Sequence, residues 1–291
     1  MATLAAHVPA LRELTPRQRV LRRLKRRRGA MLGLGVVVFF VVLALLAPTI
    51  APHDPLQTSW SEVRKAPSAA HLFGTDEIGR DVTSRVIWGA RASLLAGLVS
   101  VCISLSLGVP IGLLAGYVGG WIDALISRIT DAMLACPFLI LAIALAAFLG
   151  PSLTNAMIAI GISATPVFIR LTRAQVLSVK VEDYVEAARA IGNSHLRIAL
   201  RHILPNVVAP LIVQATLAIA AAVIAEASLS FLGLGQQPPA PSWGSMLNTA
   251  KNYIDNAPWM AVWPGLCIFL LVLSFNLVGD GLRDALDPRH R

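Results

Sequence analysis

Long apolar stretches alternate with short polar segments along most of this chain. A helix that crosses the ~30 Å hydrocarbon core of a bilayer needs about 20 apolar residues. Six stretches have that character, and they cover residues 30–51, 92–118, 130–149, 153–171, 207–230 and 258–279. The pattern therefore predicts an all-α membrane protein with six transmembrane helices.

The polar intervals divide the chain into segments. We expect a basic tail at 1–29, a first transmembrane helix at 30–51, an external segment at 52–91, a five-helix core at 92–279 with a cytoplasmic loop at 173–206, and a second tail at 280–291. The apolar run Met31–Ala47 is longer than the hydrophobic region of a signal peptide. We therefore interpret it as a retained first span.

The external segment contains a pattern that favours an amphipathic helix. Ile78, Val82 and Val86 recur at helical spacing, and either Thr75 or Asp76 has the chemistry to begin the helix. Asp76–Arg80 and Asp81–Arg85 are both four residues apart, which suits ion pairs along one helix. We predict a helix on the membrane face or against the bundle.

Composition agrees with a membrane protein, because only 14% of the 291 residues are charged, 56% are hydrophobic and the mean hydropathy is +0.68. Soluble domains have closer to 25% charged residues. The net charge of +9 could indicate nucleic acid binding. We reject that interpretation, because most Lys and Arg residues fall in 12–28, 170–201 and 283–291, on one side of the predicted spans. This bias predicts that both termini lie in the cytoplasm.

One polar interval, residues 182–206, has the pattern of two short helices. Asp183 and Glu186 stand at N-cap and N3 spacing, and Gly192 with Asn193 suits a helix stop with positive φ. Ser194 can cap a second helix, and Pro205 suits the first turn of the next one. On pattern alone this is equally an ordinary helix pair in a cytoplasmic loop.

The string in this interval resembles the EAA loop of ABC-importer permeases. The matching residues are Glu186, Ala187, Ala188, Gly192, Leu204 and Pro205. One departure is His202, which occupies the family's Ile position, with Ile203 one place later. The resemblance implies that residues 173–206, the coupling loop, dock in a cleft of an ATP-hydrolysing subunit. Small side chains at Ala187 and Ala188 would then allow close approach, and Gly192 would set the angle between the helices.

Two further strings resemble the C-type permease of oligopeptide and dipeptide importers. They are FGTDEIGRDVTSRVIWGARASL, which contains Gly74, Asp76, Gly79, Arg80 and Asp81, and AEASLSFLGLGQQPPAPSWGSML. The role of the first string is open between a structural one and contact with a partner subunit or a substrate-delivering protein.

The resemblance implies a type I ABC importer permease fold. It also implies that the chain crosses a bacterial inner membrane several times. The implied partners are a homologous B-type permease, two ATP-binding subunits or one fused double ATPase, an external peptide-binding protein and the lipid bilayer, with no nucleic acid. ATP and Mg²⁺ would bind only in the partner subunits. In agreement, this sequence contains no GxxxxGK[ST] phosphate loop. We therefore expect a permease that is not itself an enzyme, that binds no cofactor and that works by alternating access.

Three features of the core carry further expectations. Small residues in the second span, among them Gly108, Gly112 and Gly116, predict close helix packing. Pro137 predicts a bend in the third span. Glu226 lies ~31 Å along its helix from Pro205, near the outer rim, where burial costs little. Its role is open between a structural one and one at an outer gate.

Other functions remain to be weighed against peptide import. Similar permeases carry nickel complexes or oligosaccharides. An ion-coupled secondary transporter would need ionisable residues near the bilayer midplane and often inverted repeats, and the spans show neither. A membrane scaffold would not need the coupling loop. The three cysteines have no metal-ligand spacing, so the sequence predicts no metal site.

Overall fold

The computed structural model describes residues 16–286, which form twelve α-helices in that range. The helices are α1 Pro16–Arg26, α2 Arg28–Leu45, α3 Ala47–Ile50, α4 Val82–Val118, α5 Gly120–Ala135, α6 Phe138–Leu149, α7 Leu153–Val179, α8 Asp183–Ala190, α9 His195–Arg197, α10 Leu204–Phe231, α11 Trp243–Ala250 and α12 Trp259–Leu286. The ends of both predicted tails, residues 1–15 and 287–291, lie outside the described residues.

Five helical units are long and apolar enough to cross a membrane, and a bent pair raises the number to six. The units are α2, α4, α7, the stretch His195–Phe231 that ends in α10, and α12, with α5 and α6 as the bent pair. The predicted all-α membrane fold is confirmed.

The bend separates α5 from α6 by 92°. Cys136 and Pro137 both have extended backbone angles at this break. A proline has no N–H to donate and its ring crowds the preceding turn, so the helix stops where the sequence predicted a bend. The predicted span 130–149 is therefore the bent helix pair α5–α6 rather than one straight helix.

Helices α4 and α7 pack with their backbones close together. A methyl group added at Gly108 would lie 2.6 Å from the Phe168 side chain, and one at Gly112 would lie 2.6 Å from the carbonyl oxygen of Ile169. The Ser104 hydroxyl donates a hydrogen bond across the pair to the Gly161 carbonyl at 2.8 Å. The small residues therefore serve the close packing that the sequence predicted.

The first turn of α4 differs from the predicted external helix. Helix α4 begins at Val82 and runs unbroken into the second span, while residues 75–81 form a tight loop closed by a bridge between Thr75 and Asp81. Asp81, rather than Thr75 or Asp76, caps the helix by accepting from the Ser84 N–H at 2.7 Å. The Asp76–Arg80 pair forms at 2.6 Å, but Arg85 reaches Asp76 instead of Asp81.

Helix α11 folds back onto the end of the bundle opposite the coupling loop. Ser242 and Ser245 form a reciprocal capping box at its start. Trp243 is fully buried, donates from Nε1 to the Val86 carbonyl at 3.0 Å and contacts Phe40 edge-to-face. The segment between α10 and α12 is thus partly helical and anchors α2 to α4.

Candidate functional site

The coupling loop turns at Gly192, as the sequence predicted. Gly192 has φ +81°, and its N–H donates to the Arg189 carbonyl at 3.0 Å. The Asn193 N–H reaches the Ala188 carbonyl at 3.2 Å, so the two bonds together form a Schellman motif. A methyl group at Gly192 would touch nothing within 4 Å. The requirement for glycine is therefore conformational rather than steric.

The caps of the two short helices are only half as predicted. Ser194 accepts a hydrogen bond from the Arg197 N–H and caps α9, in agreement with the sequence. The expected capping by Asp183 and Glu186 is wrong, because Glu182 is the N-cap residue of α8 and its side chain makes no capping bond. Both Asp183 and Glu186 lie in the first turn of α8, where carboxylates still favour the positive end of the helix dipole.

Helix α9 continues into the fifth span without a loop. Residues Ile198–Ile203 form a π-helical turn that joins α9 to α10, and Leu204 and Pro205 lie in the first turn of α10. Pro205 cannot donate to the carbonyl four residues earlier and its ring crowds that carbonyl, which accounts for a widened turn at this point. The coupling loop is therefore continuous with α10, because His195–Phe231 forms one helical stretch of 37 residues.

The two alanines of the coupling loop have different environments. Ala187 is exposed, whereas Ala188 is 4% exposed and packs in a core cluster with Val185, Ile198 and Ile203. Ala188 therefore joins α8 to the π-helical turn, and Ala187 is the exposed one of the two small side chains. Glu186 is exposed beside Ala187, so the surface open to a partner is centred on these two residues.

Apolar side chains flank this surface, and sequence reasoning did not place them there. Ile191 is 80% exposed and Leu196 is 70% exposed, on opposite sides of Gly192. Tyr184 and Leu200 are also exposed. An apolar surface of this kind marks a protein contact more often than a solvated loop.

Polar contacts hold the coupling loop and its neighbouring spans together. The Tyr117 hydroxyl at the end of α4 lies 2.9 Å from Nδ1 of His195, and Lys180 donates to the Gly116 carbonyl at 2.9 Å. Nearby, Arg173 on α7 forms a two-point ion pair with Asp123 on α5. These bonds connect residues 50 to 78 positions apart, and no local pattern in the sequence indicates them.

At the other end of the bundle, the external string forms a buried ionic cluster. Asp76 accepts from the Arg80 N–H at 2.9 Å and pairs with the Arg80 side chain, while Arg85 lies 3.4 Å from the same carboxylate. Arg85 also donates to the carbonyls of Pro55 and Pro239. Burial and the neighbouring Asp76 charge raise the pKa of the Glu77 carboxyl, and Arg80 opposes them. All these contacts lie within the chain.

The two glycines of this string are required by close approach. A methyl group at Gly79 would lie 1.8 Å from the Ser59 carbonyl oxygen, and one at Gly74 would lie 2.7 Å from both the Lys65 carbonyl and the Trp259 ring. Both glycines also have positive φ. Together with Asp81 at the N-cap of α4, they fold the external segment onto the spans. The placement favours the structural role of the string over contact with a partner.

Glu226 is fully buried, which the sequence did not predict. Its position near the end of α10 agrees with the expected depth, but a low burial cost at an open rim is wrong. Ser230 donates to Oε1 at 2.7 Å and Ser93 of α4 donates to Oε2 at 3.2 Å. The Ser230 hydroxyl also accepts from the Gln236 N–H at 3.0 Å. The carboxylate thus joins α4, α10 and the following loop.

A cavity of about 460 Å³ lies at the break between α5 and α6. Its lining includes Cys136 and Pro137 at the break, with Ser163 and Gln214 contributed by α7 and α10. Within the described residues, Ser163 Oγ is a buried atom without a hydrogen-bond partner. Non-helical backbone at membrane depth is tolerated where it is buried in protein or lines a cavity. Ser100 and Ser104 also line the cavity, so a few polar residues stand in a mostly apolar space.

Two parts of the chain match known protein families. Residues 108–291 match the family described as binding-protein-dependent transport system inner membrane component. Residues 15–67 match the N-terminal transmembrane domain of oligopeptide transport permease C.

Individual curated proteins are similar over nearly the whole chain. A dipeptide transport system permease protein DppC of Alkalihalophilus pseudofirmus is 48% identical, over 95% of this chain and 91% of its own length. A di/tripeptide transport system permease protein DppC of Pseudomonas aeruginosa is 48% identical, over 90% of this chain and 88% of its own length. A glutathione transport system permease protein GsiD of Shigella flexneri is 49% identical, over 94% and 91%.

A solved structure shares the fold. A chain of the MetNI methionine ABC transporter, in an inward facing conformation, superposes with a TM-score of 0.58 at 22% identity. The superposition covers 70% of this chain and 97% of that chain. The helical arrangement described above is therefore that of a type I ABC importer permease.

Proposed function

This chain belongs to the family of binding-protein-dependent transport system inner membrane components, and from that premise we propose that it is the C-type permease subunit of an ATP-driven importer of short peptides. The observation that carries the proposal is the helix pair α8–α9. It presents an exposed surface at Glu186 and Ala187 and continues without a loop into the transmembrane helix α10.

In this proposal the helix pair receives motion from an ATP-hydrolysing partner. The Schellman turn at Gly192 and the buried Ala188 make α8 and α9 one rigid body. Because the π-helical turn Ile198–Ile203 connects that body to α10, a displacement of the docked loop moves the transmembrane helix. Movement of packed helices as units is the usual basis of such switching.

The proposed partners supply the functions that this chain lacks in the proposal. Two ATP-binding subunits, or one fused double ATPase, bind ATP and Mg²⁺ and dock on the coupling loop. A homologous B-type permease completes the translocation path, and an external binding protein delivers the peptide at the end of the bundle that carries the external segment. Selection among peptides then lies largely with the binding protein.

The cavity at the α5–α6 break is the proposed part of the path in this subunit. A peptide carries N–H and C=O groups at every residue, and each must find a partner when it leaves water. Ser163 and Gln214 can offer both donors and acceptors to such a backbone without selecting a side chain. This is the chemistry expected of a permissive path.

The substrate class rests on the names of the similar proteins, which are dipeptide, di/tripeptide and glutathione permeases. All three names describe short peptides, and this favours peptides over nickel complexes or oligosaccharides. The fully buried Glu226 accepts hydrogen bonds from two serines near one end of its helix. It therefore gives little support to an ion-coupled transporter, which would need a titratable group near the midplane.

Reconstitution of the complete complex tests the proposal. The chain is co-purified with its B-type permease and ATPase, inserted in liposomes and supplied with the binding protein. We expect uptake of labelled dipeptides and tripeptides that requires both internal ATP and the binding protein. A nickel complex and a trisaccharide serve as competing substrates. Uptake of either one in preference to peptides would contradict the substrate class, and uptake without ATP would contradict the importer mechanism.

A further inference from the structure

Two histidines and an aspartate meet where the external segment covers the first turn of α4. His71 is buried, and its Nδ1 lies 2.9 Å from Oδ1 of Asp81. Nδ1 of His53 lies 3.7 Å from Oδ2 of Asp81. One ligand atom from each of the three residues lies within 4.8 Å of the other two.

We propose that His53, His71 and Asp81 form a binding site for a divalent transition metal of the Zn²⁺ class. Imidazole nitrogens and a carboxylate oxygen are the ligands that this class of metal prefers. Tetrahedral ligands with bonds of about 2.0–2.2 Å stand roughly 3.3 Å apart. Nδ1 of His71 lies 2.9 Å from Oδ1 of Asp81, Nδ1 of His53 lies 3.7 Å from Oδ2 of the same carboxylate, and the three ligand atoms lie within 4.8 Å of one another. Side-chain movements on the order of 1 Å would bring them to that spacing.

The residues around the three ligands hold them as a metal site requires. Ligating histidines usually donate their second ring N–H to a carboxylate, which fixes the tautomer and the ring orientation. Nε2 of His71 lies 3.2 Å from Oε2 of Glu62, so the ring hydrogen can reside on Nε2 and leave Nδ1 for the metal. This carboxylate–histidine arrangement is already formed.

The aspartate ligand is also positioned by its neighbours. Oδ2 of Asp81 accepts hydrogen bonds from the Ser84 N–H and the Ser84 hydroxyl, each at 2.7 Å. These bonds leave Oδ1 directed at His71 as the metal-facing oxygen. The Ser84 hydroxyl further accepts from the His53 N–H at 3.0 Å, so all three ligands are tied to the start of α4.

The site has an entry path and an open coordination position. The His53 side chain is 40% exposed, whereas that of Asp81 is 1% exposed. Metal can therefore enter from the side of His53, and water can supply a fourth ligand. Three protein ligands with one open position give an exchangeable site, in contrast to the closed four-ligand sites that act purely as structural staples. Bound metal would fasten residues 53 and 71 to the first turn of α4.

No local sequence motif indicates this metal site. The ligands lie at positions 53, 71 and 81, and the chain between them includes a short 3₁₀ turn at Trp60–Glu62 and irregular loop. The sequence expectation of no metal site rested on close spacing of ligands, and that expectation does not cover ligands which only the fold brings together.

Cobalt binding to the full-length chain tests the proposal. The chain is purified with a tag that contains no histidine, placed in lipid nanodiscs, stripped with a chelator and titrated with Co²⁺. We expect one Co²⁺ per chain, visible absorption bands typical of tetrahedral coordination, and complete displacement by Zn²⁺. Binding should also raise the unfolding temperature, because metal that binds only the folded chain stabilises it.

Two variants and one control locate the site. His53→Gln removes a ligand, and Glu62→Gln removes the carboxylate that orients His71, with an expected loss of affinity of roughly 10- to 100-fold for Glu62→Gln and a larger loss for His53→Gln. Both side chains are partly exposed, so the metal-free variants should unfold at the same temperature as the original chain. His202→Gln, in the π-helical turn, should bind Co²⁺ unchanged.

The Co²⁺ titrations distinguish a specific site at these residues from its absence. Saturable binding that His53→Gln weakens and His202→Gln leaves intact supports the site. Absence of saturable Co²⁺ and Zn²⁺ binding would overturn the proposal, as would equal affinity in the original chain and His53→Gln.

Discussion

Ser93 of α4 donates a hydrogen bond to Glu226 of α10 across 133 positions of the sequence, at 3.2 Å. Ser230 donates to the other carboxylate oxygen, so both oxygens are occupied in a fully buried site. The pair fastens two transmembrane helices next to the loop that leads to α11. This favours a structural role for Glu226, because each carboxylate oxygen accepts a hydrogen bond from a serine and the side chain is not exposed to solvent.

Replacement of Glu226 separates a structural role from a gating role. Glu226→Gln keeps an acceptor and a polar group for both serines, so we expect complex assembly and peptide uptake within a few-fold of normal. Glu226→Leu leaves two buried hydroxyls without this partner, at about 1–3 kcal/mol each, and should lower the unfolding temperature and the yield of complex. Abolished uptake by a fully assembled Glu226→Gln complex would instead indicate an outer gate.

The turn at Gly192 should tolerate size but not a β-branched residue. Because the surrounding space is open, Gly192→Asn accepts the positive φ at little cost, whereas Gly192→Val is strained by about 1–3 kcal/mol. We expect Gly192→Val to weaken co-purification of the ATPase, or to uncouple ATP hydrolysis from uptake, at normal membrane levels. Gly192→Asn is the matched control. Equal coupling in both variants would show that this turn does not transmit motion.

Substitutions at the two neighbouring alanines should have different effects. Ala187→Trp adds bulk to the exposed surface and should reduce ATPase association at least about tenfold, which corresponds to about 1.4 kcal/mol, while the permease stays stable. Ala188→Trp forces an indole into the core shared with Val185 and Ile203, so it should lower stability first. Pull-down and thermal unfolding measure the two effects. Normal ATPase binding by Ala187→Trp would exclude this surface as the docking site.

The polar lining of the cavity should affect transport alone. Gln214→Leu and Ser163→Ala remove groups that a peptide backbone can bond, and neither residue contributes to the coupling loop. We expect slower peptide uptake with unchanged ATPase association. Ser106→Ala is the control, because Ser106 is an exposed serine of α4 that bonds only within its own turn. Normal uptake by the Gln214→Leu, Ser163→Ala double variant would remove this cavity from the path.

The orientation of the chain in the membrane is also open to a direct test. The distribution of Lys and Arg predicts that a reporter fused after Asp255 lies outside the cytoplasm. Reporters between Lys180 and Asp183, or at the C-terminus, should lie inside. A pair of reporters that respond in opposite compartments gives each fusion its own control. An external signal from the Lys180–Asp183 fusion would contradict both the orientation and the docking of the coupling loop.

Features set by a few adjacent residues could be predicted from the sequence. The positive φ of Gly192, the Ser194 cap and the break at Pro137 all depend on backbone rules that act within one turn. The close packing of α4 followed from its small residues, because glycine at regular spacing has few other uses in a transmembrane helix.

Features that join distant parts of the chain could not be predicted in this way. Arg85 looked like the polar face of a surface helix, but it is buried because the carbonyls of Pro55 and Pro239 satisfy it. Pro205 lies in the first turn of α10, as predicted, but the sequence did not indicate that the π-helical turn Ile198–Ile203 joins this helix to α9 without a loop. Ala188 and Ala187 are equivalent in sequence, and only packing against Ile198 distinguishes them.

The glycine-lined contact between α4 and α7 restricts where the bundle can open. Methyl groups at Gly108, Gly112 and Gly116 would each lie within 3.0 Å of a main-chain carbonyl oxygen of α7, those of Thr165, Ile169 and Arg173, so at these positions α4 places no side chain between the two backbones. A passage between these helices would first have to break main-chain contact along several turns. We therefore expect α4 and α7 to move as one unit. An opening for the substrate then has to form by displacement of the other helices relative to this pair.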